Sequence, residues 1–288
     1  MPNSTSRDEY YADLPLPVDG SSAAPLGPNN PPWNAAAGLG VWLLSVLLII
    51  VMPNLFVIPY AVSRQISLND SARLVDFLQS DATAVLLGLL AILPAHVLTL
   101  LAAWAVATKL NRYSFRQTLG WEMGPVKLWH LAAILIGFFL FALALNQISP
   151  EQDNSLLKIL RSSRHAVLLT AFLATFTAPF VEEVVYRGVL YSGFQRLTGA
   201  PLAIIVITAL FSLVHVPQYY PSWTTIVLLT LLSLILTLVR AWSGNLLPCV
   251  VLHFLFNGIQ SLGLVFGPDL NVPDAPPDAV GFVFQLLK

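Results

Sequence analysis

The chain is built around runs of some twenty apolar residues, and those runs limit what it can fold into. A helix rises about 1.5 Å per residue, so roughly 20 consecutive apolar residues are needed to cross about 30 Å of hydrocarbon. Seven windows approach or meet this length: 37–60, interrupted by Pro53-Asn54; 82–107, containing Pro94 and His96; 128–145; 166–181, which runs directly into Glu182 and Glu183; 202–216; 223–242; and 246–266. Prolines inside such spans are tolerated where neighbouring helices satisfy the freed carbonyls. The expected fold is all-α, a polytopic transmembrane helical bundle of about seven spans, within limits of six to eight.

Composition agrees with that reading and removes several classes of function. Only 10% of residues are charged, against about 25% in a soluble domain. Lys and Arg number 14 and Asp and Glu 15, so no basic excess exists to neutralise nucleic-acid phosphates. The lone cysteine, Cys249, excludes a disulfide framework and a cysteine-based zinc site. An integral, multi-pass membrane protein is expected, in the cell membrane if the source is prokaryotic. Its partner is the lipid bilayer, and nucleic acid is not.

Residues 1–36 hold seven of the 21 prolines, with Asn and Ser but no apolar run, and read as a disordered polar tail. They lack the charged start and short apolar core of a secretory signal, so insertion is expected to rely on the first spanning helix. Residues 37–160 form the N-terminal transmembrane helices and 161–266 a C-terminal core. Residues 267–288 form a Pro-rich tail whose apolar end is too short to cross. The basic residues give a weak orientation. Arg7, Lys109, Arg112, Arg116, Lys127, Arg187, Arg196 and Arg240 fall on the side of the N-terminus, and Arg64, Arg73, Lys158, Arg161, Arg164 and Lys288 on the other. The richer side is expected to be cytoplasmic. Between Lys109 and Lys127, the stretch 113–121 mixes aromatic and basic residues, which suits either a segment resting on the headgroups or an ordinary connector.

Scarce charge makes misplaced charge visible. Glu182 and Glu183 continue an apolar helix with no turn signal, and a carboxylate at the bilayer centre costs at least about 2.5–3.5 kcal/mol on insertion scales. Arg187 follows Glu183 by four residues and can pair with it on one helix face. Glu182 points about 100° away, which leaves it free to face a cavity and serve as a general base. If the span ended near Phe180 the pair would simply lie at the interface. Other helices argue against that: Phe211-Ser-Leu-Val-His215 places an imidazole in the fifth span, and His253-Phe-Leu-Phe-Asn257 places an imidazole and a carboxamide one turn apart in the seventh. Two Glu, two His and one Asn in apolar helices need a shared polar interior. His96, His130 and His165 are assigned no role.

The ordered set Glu182-Glu183-x-x-x-Arg187, Phe211-x-x-x-His215 and His253-x-x-x-Asn257 resembles the CAAX-processing and bacteriocin-processing (CPBP) family of intramembrane proteases, also called the type II CAAX prenyl protease or Abi family. Arg187-Gly188-x-Leu190 and Ser243-Gly244-Asn245-Leu246-x-Pro248 are similar to the stretches that accompany its motifs. The likeness covers roughly 166–261, about a third of the chain. It implies a catalytic cavity in the C-terminal helices and hydrolysis of a peptide bond. Glu182 and His215 would activate water, His253 and Asn257 would stabilise the oxyanion, and Glu183 and Arg187 would brace the site. Phe211 would pack its helix in place.

The resemblance leaves the cofactor open between no metal, which the missing His-Glu-x-x-His ligand pattern favours, and zinc held by Glu182, His215 and His253. The implied substrate is a membrane-associated peptide or protein, prenylated in eukaryotic relatives. Nothing in this chain indicates prenyl specificity. Two other classes compete: a non-enzymatic membrane scaffold or immunity protein on the same fold, and a transporter using the Glu and His residues as a proton relay. The absence of an internal sequence repeat counts against the transporter.

Overall fold

The computed structural model describes residues 26–149 and 152–266. Thirteen helices run through them, and no strand element occurs among the described residues. Seven helical stretches are long and apolar enough to cross a membrane: α1 (Ala35–Ser63), α3 with α4 (Ala82–Leu90, Ile92–Thr108), α6 (Leu128–Ile148), the composite Arg164–Thr198, α11 (Ala200–Tyr219), α12 (Trp223–Ser243) and α13 (Leu247–Phe266). The protein is an integral, multi-pass membrane protein. Short helices α2 (Ser71–Ser80), α5 (Phe115–Leu119) and α7 (Ser155–Ser162) lie between spans.

Local sequence explains the breaks. Asn34 caps α1 by accepting from the amide of Ala37, and Asp81 caps α3 by accepting from those of Thr83 and Ala84. The span 82–108 is interrupted at Ala91, just ahead of Pro94. Proline lacks an amide hydrogen and its ring crowds the carbonyl four residues back, here that of Leu90. The exterior is apolar, as a lipid-facing surface must be: Leu47 is 55% exposed, Leu143 64% and Ile205 64%.

The composite span decides the position of the site. It runs as α8 (Arg164–Phe172), a π-helical turn (Leu173–Thr177), α9 (Ala178–Glu183), a second π-helical turn (Val184–Leu190) and α10 (Tyr191–Thr198). The helix does not stop near Phe180. Glu182 and Glu183 therefore sit near the middle of a 35-residue helix, between two π turns. Such turns recur at functional sites because each adds a residue and frees a carbonyl. The second turn is the centre of the main core, where Val184, Val189 and Leu190 pack with Val41 of α1, Ala103 of α4 and Ile207 and Phe211 of α11. α1 comes unusually close: a side chain on Gly38 would meet the Val189 carbonyl oxygen at 3.1 Å. Small residues permit that approach. A second core joins α6, α12 and α13.

One sequence expectation changes here and one open alternative is decided. Of the stretch 1–36, residues 1–25 lie outside the described residues, but 26–36 are built into the fold. Asn30 and Gly27 close a tight turn through mutual backbone hydrogen bonds of 3.0 and 3.2 Å, Arg196 of α10 donates to the Pro31 carbonyl at 2.8 Å, and Trp33 is 5% exposed. The stretch 113–121 is a connector anchored in the bundle. Thr118 and Leu119 are buried, Trp121 meets Phe180 edge-on at 5.9 Å, and the Gly120 carbonyl accepts from the Leu246 amide at 2.8 Å. That last bond ties the connector to the start of α13, which carries His253. Residues 267–288 lie outside the described residues.

Candidate active site

Glu183 and Arg187 are both fully buried and pair at 3.0 Å within the composite span. A buried ion pair holds only when its remaining donors are satisfied, and α12 supplies the acceptors. Arg187 Nη2 donates to the carbonyl and hydroxyl oxygens of Ser233, each at 2.9 Å, and Nε donates to Thr237 Oγ1 at 3.3 Å. The guanidinium also lies 4.7 Å from the centre of the Phe211 ring, close enough for a cation–π contact. Phe211 is thus a packing residue with a wider role than holding its own helix.

From α13, His253 Nδ1 donates to the same Glu183 oxygen, Oε1, at 2.8 Å. The carboxylate accepts, so Nδ1 carries the hydrogen and Nε2 turns toward Glu182. From α11, His215 Nδ1 lies 2.7 Å from the Phe211 carbonyl oxygen. A carbonyl can only accept, so this ring also carries its hydrogen on Nδ1 and offers Nε2 to the site. The two free nitrogens flank Glu182: His215 Nε2 is 4.0 Å from Oε1 and His253 Nε2 is 3.9 Å from Oε2. The Glu182 side chain is 24% exposed where Glu183 is 0%. Glu182, Glu183, Arg187, His215 and His253 therefore form one connected site.

Asn257 stands one turn beyond His253, but its amide Nδ2 donates to the Ala174 carbonyl in the first π turn at 2.8 Å. His96 does the same turn a similar service, meeting Thr177 Oγ1 at 3.0 Å. His130 caps the start of α6, its Nδ1 accepting from the Lys127 amide at 3.0 Å, and His165 is exposed in the first turn of α8.

Arg240 was missed. Counted with the charges at the end of the sixth span, it is instead fully buried within α12. Its neighbours Leu238, Val239, Ala241 and Trp242 are apolar, the same signal that singled out the glutamates.

Zinc suits the donor set chemically, since a carboxylate and two imidazoles are ordinary ligands, each imidazole braced through Nδ1. The spacing does not suit it. Tetrahedral zinc with bonds of about 2.0–2.1 Å brings ligand atoms to about 3.3 Å of one another, whereas these stand 3.9 and 4.0 Å apart. No group of three His, Cys, Asp or Glu among the described residues is placed to hold an ion. A water at about 2.8 Å from two such atoms fits the gap.

A helical membrane bundle with a buried glutamate–histidine centre is the class of protein these features define. Residues 164–259 match the family model for type II CAAX prenyl endopeptidase Rce1-like proteins, a match that supports the resemblance to the CPBP family. Over 153 residues the chain is 24% identical to the Bacillus subtilis (strain 168) protein named "Uncharacterized protein YpbD", covering 51% of this chain and 74% of that one. No solved structure matches the chain.

Proposed function

We propose that this protein is an intramembrane endopeptidase that hydrolyses a peptide bond in a membrane-associated peptide or protein, with water activated by Glu182 and His215. The observation that carries the reading is the gap between Glu182 Oε1 and His215 Nε2, 4.0 Å across, wide enough for one water to hydrogen-bond to both. Glu182 takes a proton from that water as the oxygen attacks the scissile carbonyl carbon. The carbonyl π electrons move to oxygen and form a tetrahedral oxyanion. When the C–N bond breaks, Glu182 returns the proton to the leaving amine, and a carboxylic acid and an amine result.

The oxyanion needs donors aimed at it in a water-poor site, each worth about 2.7–4 kcal/mol. His253 turns Nε2 toward the site and serves as one donor when that nitrogen also carries a hydrogen, with Nδ1–H held on Glu183, and Asn257 keeps a second amide hydrogen beyond its bond to Ala174. Glu183 and Arg187 orient His253 and do not react. No metal step enters this sequence of events.

The test offers purified protein in detergent a panel of peptides, one of them farnesylated, and compares wild type with Glu182→Gln and His215→Ala. Cleavage by wild type that both substitutions abolish is the expected result. Cleavage surviving both overturns the mechanism. A wild type that binds a peptide and never cleaves it supports the scaffold reading instead.

A further inference from the structure

Arg240 is a fully buried cation with no carboxylate in salt-bridge range among the described residues. Among the described residues every acceptor it has is neutral. Nη2 donates to the Pro28 carbonyl at 2.8 Å and to Ser192 Oγ at 3.0 Å, Nη1 donates to Asn29 Oδ1 at 3.1 Å, and the guanidinium lies 5.2 Å from the Tyr191 ring centre. Nε donates to the Arg187 carbonyl at 3.1 Å. A desolvated charge is costly to keep without a counter-ion, so what it holds deserves an explanation. The Arg187 carbonyl lies in the second π turn, where the regular i→i+4 pattern gives way to i→i+5 bonds.

In the same turn the Val189 carbonyl accepts from Trp33 Nε1 at 2.8 Å. Ser233, Thr237 and Arg240 recur at helical spacing along α12 and so share a face. The first two take the Arg187 side chain, and the third takes its main chain. Arg187 is thereby fixed at both ends, and Glu183 and His253 are fixed through it. The turn at 27–33 is the outer anchor, holding Arg240 through Pro28 and Asn29 and the π turn through Trp33.

We infer that Arg240, with Trp33 and the 27–33 turn, is a positioning device for the candidate site: it immobilises the π turn that carries Arg187 and thereby sets the Glu183–His253 hydrogen bond. The inference rests on the proteolytic reading only for its effect on turnover, because its structural part is measured separately.

The experiment uses full-length protein carrying 15N-labelled histidine, with the His253 signals assigned by their loss in His253→Gln. Wild type is expected to show His253 protonated on Nδ1. Arg240→Gln and Trp33→Phe are expected to convert this to a mixture of tautomers, Arg240→Lys less completely, with kcat lower by about tenfold to a hundredfold and KM little changed. Trp33→Phe keeps an aromatic ring in the core and removes the donor, so it decides the matter if Arg240→Gln does not fold. A His253 spectrum identical to wild type in folded Arg240→Gln or Trp33→Phe protein overturns the inference. If wild type cleaves no peptide, the proteolytic reading fails and the His253 spectra still decide this one.

Discussion

His253 Nδ1 donates to Glu183 Oε1 across 2.8 Å, and that same oxygen takes the Arg187 guanidinium at 3.0 Å. One carboxylate thus orients an imidazole from α13 and a guanidinium from its own helix. Its neighbour Glu182 faces a different direction and stands 3.9 Å and 4.0 Å from two imidazole nitrogens. Adjacent glutamates in one helix therefore have separate surroundings, Glu183 bonded to two partners and Glu182 facing two imidazole nitrogens.

Glu182→Gln should test that division most directly. The amide keeps the shape of the side chain but cannot accept a proton from water, so turnover should fall by about 10²–10⁴-fold. Among the described residues no hydrogen bond within 3.5 Å depends on Glu182, so the unfolding temperature in detergent should not drop. A strongly destabilised variant would show that Glu182 also bears structure.

Glu183→Gln should do the reverse to stability. Arg187 is 0% exposed and would keep its charge without a carboxylate, a loss of about 3–5 kcal/mol for a buried pair broken on one side. Glu183→Gln/Arg187→Met removes both charges and should recover part of that loss. Unfolding measurements on both singles and the double give the coupling; additive losses would mean that the pair is not coupled.

Much of this was legible in the sequence because charge is scarce in lipid. Each span announces itself by length, and Glu182, Glu183, His215 and His253 stand out as polar groups in apolar helices. The continuation of the fourth span to Thr198 and its two π turns had no such signal, since the donors to their carbonyls, Asn257, Arg240 and Trp33, come from distant segments. The turn at 27–33 was hidden for a related reason. Its Pro and Asn content reads as disorder, and its order comes from donors contributed by Arg196 and Arg240. Arg240 was legible in principle, being a charge among apolar residues, but its place near the end of a span made an interfacial position the simpler reading.

Phe211→Leu should affect chemistry more than folding. The Phe211 ring touches the Arg187 guanidinium at 4.7 Å, the His215 ring at 4.7 Å and the Tyr186 ring at 5.0 Å. Leucine fills much of the space but offers no flat face to either ring and no quadrupole to the cation. The lost cation–π contact is worth about 0.5–2 kcal/mol, and a shifted His215 should lower kcat by about tenfold. Steady-state kinetics beside a melting curve separates the two effects, and unchanged kcat in a destabilised protein would leave Phe211 as packing alone.

Chelation should leave turnover unchanged. The donor atoms around Glu182 stand 3.9 and 4.0 Å apart, a spacing for a bridging water and longer than zinc draws its ligands. The check is activity after prolonged treatment with a strong chelator, followed by added zinc. Loss that zinc restores would assign Glu182, His215 and His253 to the metal and replace the glutamate-activated water with a metal-bound one.

Asn257 has two amide hydrogens, and one is committed to Ala174 at 2.8 Å. Asn257→Ala therefore removes a structural donor and an oxyanion donor together, and the two losses appear in different measurements. Losing this part-buried bond should cost about 0.5–1.5 kcal/mol of stability. A missing oxyanion donor should lower kcat by about 10²–10³-fold with KM nearly constant, because the donor meets full negative charge only in the transition state. Both effects together are the expected result. A stability loss with kcat intact would confine Asn257 to clamping the first π turn and leave His253 as the oxyanion donor assigned from α13.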